Sequence, residues 1–243
     1  MRTPTHDDFS GNLDPLSGDH SQVFDPELGE FQGREQRVAQ GTDDEMKTGT
    51  TTVGITAEDG VVLATDMRAS MGNMVSSKDV QKVEEIHPTA ALTIAGGVSA
   101  AQSLISSLKA EVRLYEARRG ENMSMQALST LTGNFLRSGA FFIVVPILGG
   151  VDEEGGHVYS FDAIGGMSEE EYTVSGSGSQ FALGVLEQEY HDGLTVDEAK
   201  TLATRSIESA VERDTASGNG INIAVVTEDG VEIERHKDLE ALL

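Results

Sequence analysis

The stretch TGTTTVG, residues 48–54, separates two parts of the chain that differ in character. The part before it is rich in Asp, Gly, Ser, Gln and Pro with isolated apolar residues, a composition typical of a disordered or removable pro-segment. The part after it begins at once with strand-like sequence. The Gly49–Thr50 junction at this boundary predicts a cleavage that removes residues 1–49 and leaves 50–243 as the mature domain. The alternative is a flexible tail followed by an ordinary strand, in which threonine is favoured.

A threonine at a new N-terminus carries a nucleophile and a base on adjacent carbons. Its hydroxyl is a weak nucleophile that needs a base, and a free α-amino group has a pKa of about 8. While Gly49 is attached, the Thr50 nitrogen is an amide and cannot accept a proton. Gly49 lacks a Cβ, which would let the Thr50 hydroxyl reach the Gly49 carbonyl. Cleavage between the two residues would therefore switch such a site on.

The charge of the chain restricts its partners. The 243 residues carry a formal net charge of −24, and the acidic excess is general: 11 acidic against 4 basic side chains in residues 1–49, and 30 against 13 in the remainder. Binding to nucleic acid or to an anionic membrane is therefore not expected. Acidic proteins with few lysines are suited to concentrated salt, which screens their self-repulsion. A halophilic, cytoplasmic origin is the resulting hypothesis.

Several other classes of protein are also disfavoured. The absence of cysteine removes disulfides, thiolate catalysis and cysteine-based metal sites. The six histidines are scattered, with no two at helical ligand spacing, and no metal or cofactor is predicted. The most apolar run, residues 140–148, is too short to span a bilayer and contains Pro146. The N-terminus does not have the pattern of a secretory signal.

Periodicity and turn signals predict strands, two helices, strands, two helices and strands. The predicted strands cover 51–56, 61–65, a weaker pair within 75–86, 90–95, 142–151, 157–162, 171–175, 222–227 and 231–235. The predicted helices cover 99–118, 122–137, 179–190 and 195–213, with capping boxes at Ser99–Gln102 and Thr195–Glu198. Helices segregated from antiparallel sheets favour a layered α+β domain, with two stacked sheets and a helix pair on each outer side.

Six pieces of this sequence, in this order and spacing, resemble the proteasome β-subunit family, most closely its archaeal and haloarchaeal type. They are TTTVGI at 50–55, ATDMR at 64–68, Lys82, TIAGG at 93–97, GSGS at 176–179 and RDTASG at 213–218. Each piece is weak by itself, and together they are specific. The similarity runs from Thr50 to about residue 226. It implies the four-layer αββα sandwich of the N-terminal-nucleophile hydrolases, in agreement with the predicted element order.

The resemblance also implies roles for individual residues. Thr50 matches the nucleophile of a threonine endopeptidase, and Asp66 and Lys82 match the carboxylate and lysine beside it. Some family members have glutamate where Asp66 stands. The oxyanion position corresponds to Gly96, whose backbone N–H would be a preorganised donor. The supporting polar positions correspond to Ser177, Asp214 and Ser217. For each of these residues the alternative is an ordinary surface, loop or turn position.

The family's main specificity pocket corresponds to four positions that are all apolar here: Ala69, Val80, Ile94 and Val98. This implies a chymotrypsin-like preference, unless some of them are only core residues. The resemblance further implies two stacked β rings of seven subunits flanked by α-type rings, an ATPase cap, and unfolded proteins as substrates in a closed chamber.

Three other interpretations are weighed. The first is the bacterial two-ring threonine protease of the same superfamily, which is disfavoured because it usually lacks a long pro-segment. A non-catalytic structural subunit typically loses the threonine or the lysine, whereas this chain keeps both. The third interpretation is a nucleotide-binding loop at Gly176-Ser177-Gly178. This segment precedes a helix, as a phosphate loop does, but it lacks the Gly-Lys-Ser/Thr sequence of such loops.

Overall fold

The structure is a computed structural model that describes residues 49–141 and 143–243. The predicted pro-segment, except for Gly49, lies outside the described residues.

The described residues form twelve β-strands, four α-helices and a short 3-10 helix at Glu240–Leu242. The strands are β1 (Thr51–Ala57), β2 (Gly60–Asp66), β3 (Ala69–Met71), β4 (Met74–Ser77), β5 (Val83–His87), β6 (Ala90–Thr93), β7 (Ile147–Asp152), β8 (Gly155–Phe161), β9 (Met167–Glu170), β10 (Tyr172–Gly176), β11 (Ile221–Thr227) and β12 (Gly230–His236). The helices are α1 (Val98–Arg119), α2 (Met125–Arg137), α3 (Ser179–Glu189) and α4 (Val196–Arg213).

Ten of these strands form two antiparallel five-stranded sheets. The first sheet has the order β10-β1-β2-β11-β12, and the second has the order β5-β6-β7-β8-β9. Strands β3 and β4 form a separate two-stranded sheet. Because successive side chains of a strand point to opposite faces, each large sheet can be apolar on both sides and bury both of them.

Alternating side chains of β2 show how the layers stack. Val61 and Leu63 belong to a core between the sheets, together with Ile147 and Val158 of the second sheet. Their neighbours in β2 pack instead against α3 and α4 on the outer side of the first sheet. A third core joins α1 and α2 to the outer side of the second sheet. The four-layer αββα sandwich predicted from the sequence is confirmed.

Helix α4 begins at the predicted capping box, and helix α1 does not. The Thr195 hydroxyl accepts from the Glu198 N–H while the Glu198 carboxylate accepts from the Thr195 N–H. The capping box predicted at Ser99–Gln102 is wrong, because α1 begins at Val98 with the extended Gly97 as its N-cap and no side-chain cap. Ser99 therefore already lies inside the first turn of that helix.

Three strand predictions also need correction. The strand expected over 142–151 begins only at Ile147, directly after Pro146, which has no N–H to donate to a ladder. The two strands within 75–86 do not pair with each other, because β4 pairs with β3 and β5 with β6. Strand β9 was not predicted, since all four of its residues are exposed and show no apolar alternation.

Candidate active site

The register of the first sheet brings four chain segments to one edge. Strand β1 starts beside the end of β2, where Thr52 pairs with Thr65, and the end of β2 lies beside the start of β11, where Asp66 pairs with Ile221. On the other side of β1, Thr51 pairs with the last residue of β10, Gly176. Antiparallel pairing therefore places the segments around Thr50, Asp66, Ser177 and residues 214–220 together, although they are far apart in the sequence.

The second sheet adds two more segments from the beginning of β5 and the end of β6. Val83 pairs with Thr93, so that Lys82, just before β5, lies beside the residues just after β6. The Ile94 N–H donates to the Lys82 carbonyl at 2.7 Å, which fixes this arrangement. The side chain of Lys82 is nearly buried and its Nζ lies at the edge of the first sheet, within hydrogen-bond distance of Thr50.

The Thr50 hydroxyl lies between Lys82 and the upstream peptide bond. Thr50 is 5% exposed, and its Oγ1 donates to the Gly49 carbonyl oxygen at 2.7 Å while accepting from Lys82 Nζ at 2.9 Å. The hydroxyl is thus close both to a cationic donor and to the carbonyl group that it would have to attack. The Gly49 N–H donates to Ser70 Oγ at 3.2 Å, which holds the chain in front of the junction.

Asp66 and Lys82 form a buried ion pair with a Nζ–Oδ1 distance of 2.7 Å. The same oxygen accepts from the Thr51 N–H at 3.1 Å, and Oδ2 accepts from the N–H groups of Arg68 and Gly218, both at 2.9 Å. These four donors match the acceptor sites of an ionised carboxylate. Burial lowers the pKa of Lys82 below its ordinary value, and the charge and hydrogen bond of Asp66 oppose that shift.

The three supporting residues form one network around Asp214. Asp214 Oδ2 accepts from the Ser177 hydroxyl at 2.6 Å and from the Ser217 hydroxyl at 2.7 Å. Because both serine protons go to Asp214, Ser177 Oγ accepts from the Thr50 N–H at 3.2 Å, and Ser217 Oγ accepts from the Thr51 hydroxyl at 2.7 Å. The network thus ends on the nitrogen that would become the free amine.

Gly96 lines the same cavity as Thr50 and has a backbone that only glycine adopts without strain. Its φ is +105°, and a Cβ there would lie 1.8 Å from the Ile143 carbonyl oxygen. Gly96 and Val144 form an isolated antiparallel bridge whose two hydrogen bonds use the N–H groups of Gly97 and Val145. Neither bond uses the Gly96 N–H, so that donor is left for another acceptor.

A cavity of about 610 Å³ opens beside Gly49, Thr50 and Gly96. All four residues predicted for the specificity pocket, Ala69, Val80, Ile94 and Val98, line it. The prediction from the sequence did not include several further lining residues, which are Met71, Ser76, Gln81, Glu84, Gln102, Ile105 and Ser106. Glu84 is half-buried and accepts from Gln81 Nε2 at 3.3 Å, so the cavity is apolar with a polar portion.

The glycine loop at 176–178 is filled by protein. A Cβ at Gly176 would lie 1.9 Å from the Thr50 carbonyl oxygen, and one at Gly178 would lie 2.0 Å from Thr51 Oγ1. These glycines are therefore explained by the close approach of β1, which leaves no room there for a phosphate. Within residues 49–141 and 143–243 there is also no cluster of His, Cys, Asp or Glu that could hold a metal ion, and no helix long and apolar enough to cross a membrane.

Two further residues support the site and were not predicted from the sequence. Buried Asn222 donates through Nδ2 to the Val80 carbonyl at 3.1 Å, which ties the pocket wall to β11. The guanidinium of Arg68 contacts the segment that follows α4. Arg68 is the last residue of the family-like piece ATDMR at 64–68, but the sequence analysis gave it no individual role.

Comparisons with known proteins found similar sequences over most of the chain. A protein-family model described as "Proteasome subunit" matches residues 46–226, a range that includes every residue of the site. Three relatives named "Proteasome subunit beta" align over the whole of both chains. They are from Haloferax volcanii with 75% identity, Haloquadratum walsbyi with 72% and Halorubrum lacusprofundi with 70%.

Proposed function

The chain belongs to the proteasome family as a β-type, proteolytic subunit, and from that premise we propose that it is a threonine endopeptidase that activates itself by cleaving its own Gly49–Thr50 bond. The observation that carries this proposal is the position of Thr50 Oγ1, 2.9 Å from Lys82 Nζ and hydrogen-bonded to the Gly49 carbonyl oxygen. The oxygen of the proposed nucleophile is thus hydrogen-bonded both to a cation and to the carbonyl group of the first bond that it would cleave.

Self-cleavage proceeds through attack of Thr50 Oγ on the Gly49 carbonyl carbon. The attack closes a five-membered ring made of Oγ, Cβ, Cα, the Thr50 nitrogen and that carbon. The Oγ proton is removed as the Oγ–C bond forms, the C–N bond then breaks, and the nitrogen takes up a proton to leave as an amine. Water hydrolyses the resulting ester, which releases a carboxylate on Gly49 and regenerates the Thr50 hydroxyl.

Peptide hydrolysis in the mature enzyme uses the same groups on a new carbonyl. The freed Thr50 amine is the base, and the nearby Lys82 ammonium favours deprotonation of both the amine and the hydroxyl. The Gly96 N–H stabilises the developing oxyanion, as a preorganised backbone donor can. Ser177 and Asp214 orient the amine, which would occupy the position of the Thr50 nitrogen in the precursor. No cofactor is required in this sequence of steps.

A preference for cleavage after large apolar residues follows from the lining of the cavity. Val80, Ile94 and Val98 supply apolar surface beside Thr50. Fluorogenic peptides that differ only in the residue before the scissile bond should be cleaved faster with Leu, Phe or Tyr than with Arg or Asp. Faster cleavage after Arg would instead indicate that Glu84 governs the pocket.

Assembly and environment are part of the same proposal. We expect β rings of seven subunits stacked with α-type rings, an ATPase cap that delivers unfolded proteins, and a cytoplasmic location. The net charge of −24 and the haloarchaeal relatives support a requirement for concentrated salt. Assembly and activity that are unchanged after dialysis into low salt would contradict that requirement.

The test is the intact mass of the assembled protein combined with Thr50→Ala. The wild type should have the mass of residues 50–243, and Thr50→Ala should keep residues 1–243 and be inactive. A matched control is Thr201→Ala, which removes a half-buried hydroxyl of α4 that donates to the Asp197 carbonyl and should mature normally. Peptide hydrolysis by Thr50→Ala would refute the mechanism. An inactive, uncut wild type in an assembled complex would favour the structural-subunit interpretation.

A further inference from the structure

The guanidinium of Arg68 spans the segment between α4 and β11, residues 214–220, here called the 214–220 loop. Its Nη1 donates to the Thr215 carbonyl oxygen at 2.8 Å, and its Nε donates to Asn219 Oδ1 at 2.9 Å. One rigid, planar group thus holds two points of the loop at a fixed separation. Lysine cannot reproduce this, because its ammonium is a single donor centre on a flexible stem.

The backbone of the loop needs such support. Gly218, Asn219 and Gly220 have φ values of +151°, +67° and +124°, so three consecutive residues lie outside the common backbone regions. Asn219 is the one non-glycine residue with positive φ in the part of the chain that the structure describes. A Cβ at Gly218 would lie 2.4 Å from Arg68 Nη2, which means that the guanidinium packs directly against the loop backbone.

The loop carries contacts that reach the reacting residue by two routes. The first runs from the Gly218 N–H to Asp66 Oδ2, and Asp66 holds Lys82. The second runs from Asp214 through the Ser177 hydroxyl to the Thr50 nitrogen. A shift of the loop would therefore move the ammonium and the future amine relative to the Thr50 hydroxyl, although the Arg68 side chain is bonded to neither.

We propose that Arg68 is a positioning residue whose side chain holds the 214–220 loop in the conformation that aligns the Thr50 nucleophile. It acts through Asp66 and Asp214 and does not touch the substrate. The inference rests on the proposed threonine mechanism and adds to it a residue outside the nucleophile, its ion pair and the serine–aspartate network. The hydrogen bond from the Arg68 backbone N–H to Asp66 is retained by any substitution except proline. Side-chain variants therefore test the guanidinium alone.

The first measurement is steady-state kinetics of Arg68→Lys in the full assembled complex at high salt. Misplacement of a catalytic group by about 1 Å can reduce the rate 10²-fold, so we expect kcat per mature site to fall by roughly tenfold to a hundredfold. KM should change by no more than about twofold, because the substrate cavity is not altered. Intact mass gives the number of mature sites. Arg205→Lys, which alters an exposed ion pair with Glu189, is the matched control and should leave kcat unchanged.

The second measurement is the pH dependence of kcat, which would not change if Arg68 had only a structural role. Burial lowers the pKa of Lys82, the charges of Asp66 and Asp214 oppose that shift, and the charge of Arg68 adds to the lowering. Removal of that charge in Arg68→Gln should raise the pKa of the Lys82 ammonium and of the neighbouring Thr50 ammonium. The acidic limb of kcat should therefore shift to higher pH in Arg68→Gln and stay in place in Arg68→Lys.

The outcomes separate this inference from the proposed function. Wild-type kcat per mature site in Arg68→Lys would overturn it, and so would a loss of activity that is fully explained by fewer assembled sites. Thr50→Ala is measured in the same assay. If Thr50→Ala is inactive while Arg68→Lys is fully active, only the role of Arg68 fails. If Thr50→Ala still hydrolyses peptides, the threonine mechanism itself fails.

Discussion

A single methyl group at residue 49 tests the geometry of the precursor. A Cβ at Gly49 would lie 1.8 Å from Ala216 Cβ and 2.9 Å from Ser177 Oγ. Carbon atoms in contact stay about 3.5–4.0 Å apart, so Gly49→Ala requires a displacement of roughly 2 Å. The displaced residue carries the carbonyl that Thr50 attacks in the proposed mechanism, and an error of about 1 Å can cost 10²-fold in rate. We expect self-cleavage to be slower by about a hundredfold or more.

The assay is the intact mass of the newly assembled protein, followed over time at high salt. The matched control is Gly184→Ala in α3, where an added Cβ meets no atom within 4 Å, and this variant should mature at the wild-type rate. Ala216→Gly combined with Gly49→Ala removes the nearest obstacle, although Ala216 Cα would remain 3.2 Å from the new Cβ. The double variant should therefore recover part of the cleavage rate.

Under the proposed mechanism the clash concerns the precursor alone, because the mature chain would lack residue 49. If another protease cuts the Gly49→Ala precursor directly before Thr50 during expression, the resulting protein should therefore hydrolyse peptides at the wild-type rate. Maturation of Gly49→Ala at the wild-type rate would refute the steric argument. Failure of Ala216→Gly to restore any cleavage, while Ala216→Gly alone matures normally, would place the obstacle elsewhere.

Two further predictions concern charged side chains. Lys82→Met should lower the rates of both self-cleavage and peptide hydrolysis by roughly 10²–10⁴-fold, the range of proton-transfer catalysis. The control is Lys200→Met, which removes a partly exposed ion pair with Glu234. Wild-type turnover in Lys82→Met would exclude a catalytic role of Lys82. Burial opposes a raised pKa of His157, but hydrogen bonds and charges of Glu169 and Asp152 outweigh it. His157 therefore stabilises the fold fully below its unfolded pKa of about 6.5 and loses this effect as pH rises through the raised value. Thermal unfolding at constant salt should show the largest deficit of His157→Gln near pH 6, and a deficit that grows with pH would contradict this.

The fold was largely predictable because its signals are local. Glu-Asp-Gly occurs at 58–60 between β1 and β2 and again at 228–230 between β11 and β12, and it predicts a tight turn at each place. Such a turn, like the capping box of α4, requires only a few neighbouring residues. The errors occurred where a distant partner decides the structure. Strand β9 has no apolar face and exists because it pairs with β8. Helix α1 starts at Val98 because Gly97, whose N–H donates to the Ile143 carbonyl, is its N-cap, and the local capping pattern at Ser99 is not used.

Most of the residues that the structure brings together at the candidate site were predictable, whereas the contacts that join them were much less so. Thr50, Asp66 and Lys82 were found by their resemblance to a family, and no local rule connects residues 50, 66 and 82. Only the antiparallel register places the start of β1 beside the end of β2. The support given by Arg68 and Asn222 was not predictable, because each side chain acts across more than 140 positions of sequence and neither residue type signals such a contact.

The buried ion pair is better explained by chemistry than by stability. Asp66 is fully buried and the Lys82 side chain is 5% exposed, and the loss of hydration of two such charges often exceeds their mutual attraction. Three backbone N–H groups stabilise Asp66 independently of Lys82, so the carboxylate does not need the lysine. Lys82, in contrast, has only Asp66 and the Thr50 hydroxyl as acceptors among the described residues. Under the proposed mechanism this difference in hydrogen bonding explains the ion pair. Backbone N–H groups fix the Asp66 carboxylate, and the carboxylate holds the partly desolvated Lys82 ammonium beside the Thr50 hydroxyl.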